Sequence, residues 1–212
     1  MSPLLLSDPL VSALPVAENG EPLVELHPGI APGGARVRAA LADRLYRADL
    51  SLPPGIRLLV VEGHRSAADQ QRIIDAYTAQ VRAAHPGATG PELDRLVSRF
   101  VAPIDVAPHV AGAAVDLTLV DESGQQLDLG TTIDATPEES RGRCYFAAPD
   151  ISLEARALRL VLGDALTSAG LVNYPTEWWH WSYGDRYWAL MTGAARAHYG
   201  AVGSRVPAGA VR

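Results

Sequence analysis

The chain has 212 residues, 48% of them apolar, with 18 basic against 24 acidic side chains and a net charge of −6, so one domain can bury a full core without metal or disulfide staples. The acidic balance, with no lysine- or arginine-rich run, argues against nucleic acid or an anionic membrane surface as a partner. Cys144 is the single cysteine, which excludes an internal disulfide and a cysteine-built zinc site.

The first thirty or so residues are rich in proline, glycine and acidic side chains and read as irregular, apart from short extended pieces such as 22–26. Their apolar stretch lacks a basic leader and is broken by Asp8, Pro9 and Pro15, and no run approaches the roughly eighteen apolar residues of a membrane span. The expectation is a cytoplasmic protein. Val37, Leu41, Leu45 and Ala48 recur at helical steps and predict a helix over 34–49, ended by Pro53, Pro54 and Gly55. RLLVV at 57–61 predicts a buried strand. Ser66 is placed to cap the next helix, with Asp69 in the capping-box position and Ile73, Ile74, Tyr77 and Val81 as its apolar face. Thr89 to Glu92 signals another helix start, continued by Leu93, Leu96, Val97 and Phe100.

Pro103 and Pro108 bound a loop that leads to APHVAGAAVDLTLV, residues 107–120, which alternates like a strand. Val115, Leu117 and Leu119 point to one face, and Asp116, Thr118 and Val120 to the other. A turn at 121–124 predicts a hairpin partner over 126–129, and 130–150 reads as a long loop, of the kind that more often carries function than not. The clearest helix spans 153–169, with Gly170 just past its end. Strands over 171–174 and 178–182 meet at Pro175, and a final helix is expected over 186–199. Helices and short strands mix without regular β-α-β alternation, which favours an α+β fold. The chain divides into an irregular segment 1–33 packed on the domain, a domain over 34–200 and a flexible tail over 201–212.

The chemistry gathers at two places. His109 and Asp116 lie seven residues apart around Gly112, and Glu177 and His180 lie three apart in TEWWHW. Two imidazoles and a carboxylate satisfy a catalytic zinc ion that keeps its fourth position for water. Glu177 beside it can move protons. Each pair alone is equally readable as structural, the second as a strand-edge charge pair beside core tryptophans. On an extended strand Glu177 and His180 face opposite sides, so the Trp178-Trp179 region must bend, for which a bulge suffices. Arg65 follows a predicted strand, where a guanidinium can bind a developing oxyanion; pairing with Glu62 or Asp69 at the surface is the alternative. Asp134 can hold a substrate ammonium. His27, His64, His85 and His198 have no partner at suggestive spacing, and the four tryptophans read as core or pocket wall.

EGHRS at 62–66, PHVAGAAVDLTLVD at 108–121, LDLGTTID at 127–134 and EWWHWSYGDRYWA at 177–189 together resemble the D-alanyl-D-alanine dipeptidase family. This is the vancomycin-resistance type of zinc dipeptidase, within a wider group that includes D,D-carboxypeptidases and phage endolysins. The resemblance covers roughly 36–200. It implies one Zn2+ per chain held by His109, Asp116 and His180, with Glu177 as catalytic base, Arg65 stabilising the transition state and Asp134 binding the free amino end of the substrate. The fold it implies is a single α+β domain with a central antiparallel sheet flanked by helices. The implied reaction is hydrolysis of D-Ala-D-Ala, and a homodimer is plausible on the same ground. Two departures stand out: Ala107 replaces the family's usual serine, and 67–106 is longer and more helical. A D,D-carboxypeptidase acting on peptidoglycan stem peptides and a non-catalytic zinc-containing binding protein are the alternatives.

Overall fold

The structure, a computed structural model, describes residues 3–203; the expected tail over 201–212 lies, from 204 onward, outside the described residues. Asp8 accepts a hydrogen bond from Leu10 N, and Pro9 stands where a missing N–H costs nothing, so the first segment contains a short helix, α1 (Pro9–Ala13), where irregular chain was expected. β1 (Leu23–Glu25) pairs antiparallel with β2 (Arg36–Arg38). This corrects the helix expected over 34–49: Val37 belongs to a strand, and α2 runs from Ala39 to Ser51. Val37 fits a helical stripe by spacing alone, and its pairing with Val24 is invisible to local periodicity.

β3 (Ile56–Glu62) follows as the sequence predicts. Ser66 accepts from Asp69 N at 3.1 Å and caps α3 (Ala67–Ala84). The Asp69 carboxylate accepts from the Ser66 hydroxyl instead of closing a full capping box on the backbone. Pro91 opens α4 (Pro91–Val97), which packs on α3 through Tyr77, Val81, Leu93, Leu96 and Val97. A single 3-10 turn at Ile104–Val106 leads to β4 (Ala114–Asp121). The hairpin strand expected over 126–129 reduces to one bridge between Val120 and Gln126, because the Asp121 carboxylate draws in the N–H groups of Ser123 and Gln125 and folds the turn on itself.

The long loop carries one helical turn, α5 (Pro137–Ser140), fixed by a complete capping box between Thr136 and Glu139. Next come α6 (Leu153–Ser168), β5 (Val172–Asn173), β6 (His180–Ser182) and α7 (Arg186–Thr192). α7 ends well short of residue 199 because Gly193 takes the left-handed conformation at φ 72°. Beyond it Ala197 bridges to Val16 and His198 N donates to the Gly184 carbonyl.

The main sheet has the order β3-β4-β6-β5 with every neighbour antiparallel, an α+β arrangement flanked by helices. Residues Ala114 to Val120 of its central strand are all buried. Val115, Leu117 and Leu119 pack with Leu41 and Leu45 of α2 and Leu162 and Leu166 of α6. Each such side chain contributes on the order of 1.5–3 kcal/mol by leaving water. Asp116, one residue out of phase, turns away from that core. Among the described residues no helix is long and apolar enough to cross a membrane.

Candidate active site

β3 does not pair evenly with β4: Val60 faces Leu117, yet Glu62 faces Asp116, so Val61 is an extra residue and the strand bulges there. Asp116 in turn faces His180 on β6. Residues directly opposite in antiparallel strands project to the same face. Glu62, Asp116 and His180 therefore form one rung across three strands. His109 joins the rung from the turn before β4, where Gly112 N donates to the His109 carbonyl and Ala113 N to that of Pro108. Gly112 makes this turn at φ +65°, a conformation that suits glycine.

The three side chains bring their donor atoms together. His109 Nε2 lies 3.1 Å from His180 Nδ1, His180 Nδ1 lies 3.0 Å from Asp116 Oδ1, and His109 Nε2 lies 3.4 Å from the same oxygen. Ligands about 2.0–2.1 Å from a tetrahedral zinc ion are separated by about 3.3 Å, so the triangle has the edge length such an ion requires. The tautomer fits too. His109 Nδ1 donates to the Gly63 carbonyl at 2.7 Å, which leaves the Nε2 lone pair aimed at the triangle. One shared proton satisfies a single edge well; a divalent cation satisfies all three. Asp116 is the acidic member of the triangle, and the two imidazoles flank its charge. Burial opposes a charge on His109, but Asp116 outweighs it and holds the imidazole above its ordinary value. Burial likewise opposes ionisation of Asp116, but His109 and His180 hold its carboxyl far below the usual range. Burial lowers His180 in spite of Asp116. Among the described residues this is the one such cluster.

Glu177 reaches the same place by a turn. Glu177 N donates to the Tyr174 carbonyl and His180 N to that of Glu177, while the Asn173 amide binds the carbonyls of Glu177 and His180. The bend that the sequence demands is thus a pair of tight turns, not a bulge, and the strand expected from 178 begins only at His180. A Glu177 carboxylate oxygen lies 3.8 Å from His180 Nδ1. Burial first, then Asp116 and Asp134, push its carboxyl well above the ordinary glutamate value. Arg65 pairs with Glu62, as its alternative reading had it, but inside the site: Nε donates to Glu62 at 2.8 Å and Nη1 to Gln70 at 3.0 Å. All six side chains singled out in the sequence, His109, Asp116, His180, Glu177, Arg65 and Asp134, line one cavity of about 310 Å³.

With that geometry in view, the sequence model of the D-Ala-D-Ala dipeptidase family matches residues 42–198. The chain belongs to this family. It is therefore an enzyme, a metallopeptidase. Its relatives include a D-alanyl-D-alanine dipeptidase of a Synechocystis species, 30% identical across 84% of this chain and 87% of its own length. A D-alanyl-D-alanine dipeptidase of Escherichia coli is 34% identical over 51% of this chain and 52% of its own. A solved vancomycin-resistance D,D-pentapeptidase in complex with Zn(II) aligns at 20% identity over 80% of this chain and 82% of its own, with a TM-score of 0.40.

Glu62, Gln70, Tyr174, Leu6 and Val101 are among the further residues that line the cavity. From the sequence alone Glu62 reads only as a surface partner for Arg65, because the bulge that turns it inward leaves no local mark. Gln70 sits on the apolar stripe of α3, one turn before Ile73 and Ile74, and a polar residue on such a stripe was a usable signal; it is buried, with its amide donating to the Ala102 carbonyl. Tyr174 packs edge-on against His180. Leu6 comes from outside the family-matched stretch altogether. Ala107 lines the cavity as well and brings no polar side-chain atom to it. His27, His64, His85 and His198 lie elsewhere, and of the tryptophans Trp179 forms part of the cavity wall.

Proposed function

We propose that the chain is a zinc-dependent dipeptidase that hydrolyses D-Ala-D-Ala or a similar small dipeptide. The observation that carries this reading is the donor triangle of His109, Asp116 and His180, spaced for a tetrahedral ion. These three residues would hold one Zn2+ per chain. When bound, zinc polarises a carbonyl and makes water nucleophilic near neutral pH. Glu177 is the proton carrier: it takes a proton as water oxygen bonds to the carbonyl carbon, and returns it to nitrogen as the C–N bond breaks. Its raised proton affinity suits a group that must keep the proton between the two events. Arg65 stabilises the developing oxyanion. Glu62 and Gln70 fix its guanidinium in advance, so little reorganisation is left for the moment of reaction. Asp134 accepts the ammonium group of the substrate.

The size of the cavity supports a dipeptide over a longer stem peptide, since about 310 Å³ is at the small end of ligand sites. The named activity of the Synechocystis and Escherichia coli relatives supports D-Ala-D-Ala in particular. The test is release of free amino acid from a panel of D- and L-dipeptides, with and without a chelator, alongside elemental analysis for zinc. The expected result is one zinc per chain and chelator-sensitive cleavage of D-Ala-D-Ala. Glu177→Gln keeps its zinc and loses about 10²–10⁴-fold in turnover. No chelator-sensitive cleavage of any dipeptide would sink the proposal, and preference for a pentapeptide would move it to a D,D-carboxypeptidase.

A further inference from the structure

Leu6 precedes the family-matched stretch, yet it lines the catalytic cavity and is only 3% exposed. The segment that carries it is anchored. Leu6 N donates to the Tyr174 hydroxyl at 3.2 Å, and Ser7 N donates to the Ser98 hydroxyl at 2.9 Å. Leu6 also packs among Val106, Tyr174 and Tyr187. Behind it lies a second cavity of about 480 Å³, between the N-terminal segment and the α3–α4 pair, with Ile74, Leu93 and Val97 among its walls. Leu6 and Val101 line both spaces. They are the partition between the catalytic cavity and this adjoining groove.

The polar groups give the catalytic cavity a direction. Asp134 also borders a shallow cavity walled by Gly130, Thr131, Glu139 and Arg143, whereas Leu6 borders the groove on the α3–α4 side and bonds Tyr174, whose ring packs on His180 at 6.0 Å. The two cavities share no lining residue, so Asp134 and Leu6 stand at different ends of the site. A dipeptide with its ammonium on Asp134 and its peptide bond at the His109-Asp116-His180 triangle therefore extends its second residue toward Leu6 and Val101. We propose that Leu6 and Val101 are the size filter of the site, closing it off from the groove behind and confining the second residue of the substrate to a small side chain. The direction assigned to the substrate rests on the dipeptidase reading.

Calorimetric titration of zinc-loaded Glu177→Gln protein, which holds a dipeptide without turning it over, with D-Ala-D-Ala and with D-Ala-D-Phe tests the filter. Adding Leu6→Ala or Val101→Ala raises the affinity for D-Ala-D-Phe relative to D-Ala-D-Ala by about tenfold or more, the range in which a few apolar groups discriminate. Leu6→Met, which keeps the volume, leaves the ratio unchanged. An unchanged ratio in both alanine variants overturns the filter. Should Leu6→Ala not fold, Val101→Ala carries the test with Leu6→Phe, which weakens binding of both dipeptides by narrowing the site further. Turnover of D-Ala-D-Ala by the unsubstituted enzyme is measured alongside. A shifted ratio without turnover sinks the dipeptidase reading and keeps the filter, turnover with an unchanged ratio sinks the filter alone, and no binding of either dipeptide overturns both.

Discussion

Asp116, Asp134 and Glu177 share one cavity, and their surroundings drive them to different proton affinities, a separation that assigns roles to carboxylates. Asp116 stays ionised between two imidazoles, whereas burial and the neighbouring Asp116 and Asp134 raise the proton affinity of Glu177, as suits a group that takes up a proton and later returns it. Asp134 stands between them at the rim, with one side toward solvent. Burial of its inner side, then Asp116 and Glu62, push it up to about 6. A carboxyl raised in this way is ionised above that pH and neutral below it, so a substrate ammonium loses its partner as pH falls through the same range. A bound divalent cation favours the carboxylate and moves the transition lower. The expected outcome is therefore a difference between two profiles. At pH 7.5 Asp134→Asn lowers kcat/KM about ten- to a hundredfold, chiefly through KM, as loss of a charge-assisted hydrogen bond does. As pH drops below about 6, the ratio of native to variant kcat/KM falls toward one. A ratio that ignores pH would remove Asp134 from substrate binding.

At the scale of elements, the end of β3 does more for the site than its length suggests. The bulge at Val61 turns Glu62 inward, and the next residue, Gly63, presents its carbonyl to His109 Nδ1. A Cβ on Gly63 would lie 2.6 Å from the Arg36 carbonyl oxygen, a backbone atom that cannot swing aside. Gly63→Ala must therefore displace β3 from β2 and misdirect the carbonyl that orients His109. Loss of such an orienting partner typically costs about 10–100-fold in metal affinity, which competition with a chromophoric chelator would measure; undiminished affinity would show that His109 needs no help. The sequence made β3, α3, β4 and α6 legible because each carries its own period and caps: RLLVV, Ser66 before Ile73 and Tyr77, Val115 to Leu119, and Leu158 to Leu166. It concealed β2, whose Val37 keeps step with α2, and the early stop of α7, where a glycine and distant partners outweigh local helical pattern. The double turn at 174–180 was legible as a need, since Glu177 and His180 otherwise diverge, but its form depends on Asn173, whose amide holds two carbonyls.

Over the whole molecule, the residues with strong chemical character were the legible ones, and those whose role comes from where the chain ends up were not. Leu6 is an ordinary leucine until the N-terminal segment is laid across Tyr174. Arg38 is another such case. Its guanidinium, 5% exposed, makes two bonds of 3.1 Å to Glu18, and it also donates to the carbonyls of Ala111 and Gly200. It thus fastens the N-terminal segment and the region beyond α7 to the turn that delivers His109. Glu18→Ala leaves this buried cation without a counter-charge, a loss of about 3–5 kcal/mol by the usual cost of breaking such a pair. At roughly 2–4 °C per kcal/mol for a chain of this size, the thermal midpoint drops by about 6–20 °C. Replacing both partners, as in Glu18→Met with Arg38→Met, removes the buried charges together and recovers much of the loss, since an apolar pair of similar volume can equal an ion pair. The double substitution nevertheless gives up the bonds to Ala111 and Gly200, so its zinc affinity stays below native while its thermal midpoint recovers. Parallel recovery of both quantities would mean that the Glu18–Arg38 pair serves stability alone and that the His109 turn holds its shape without it.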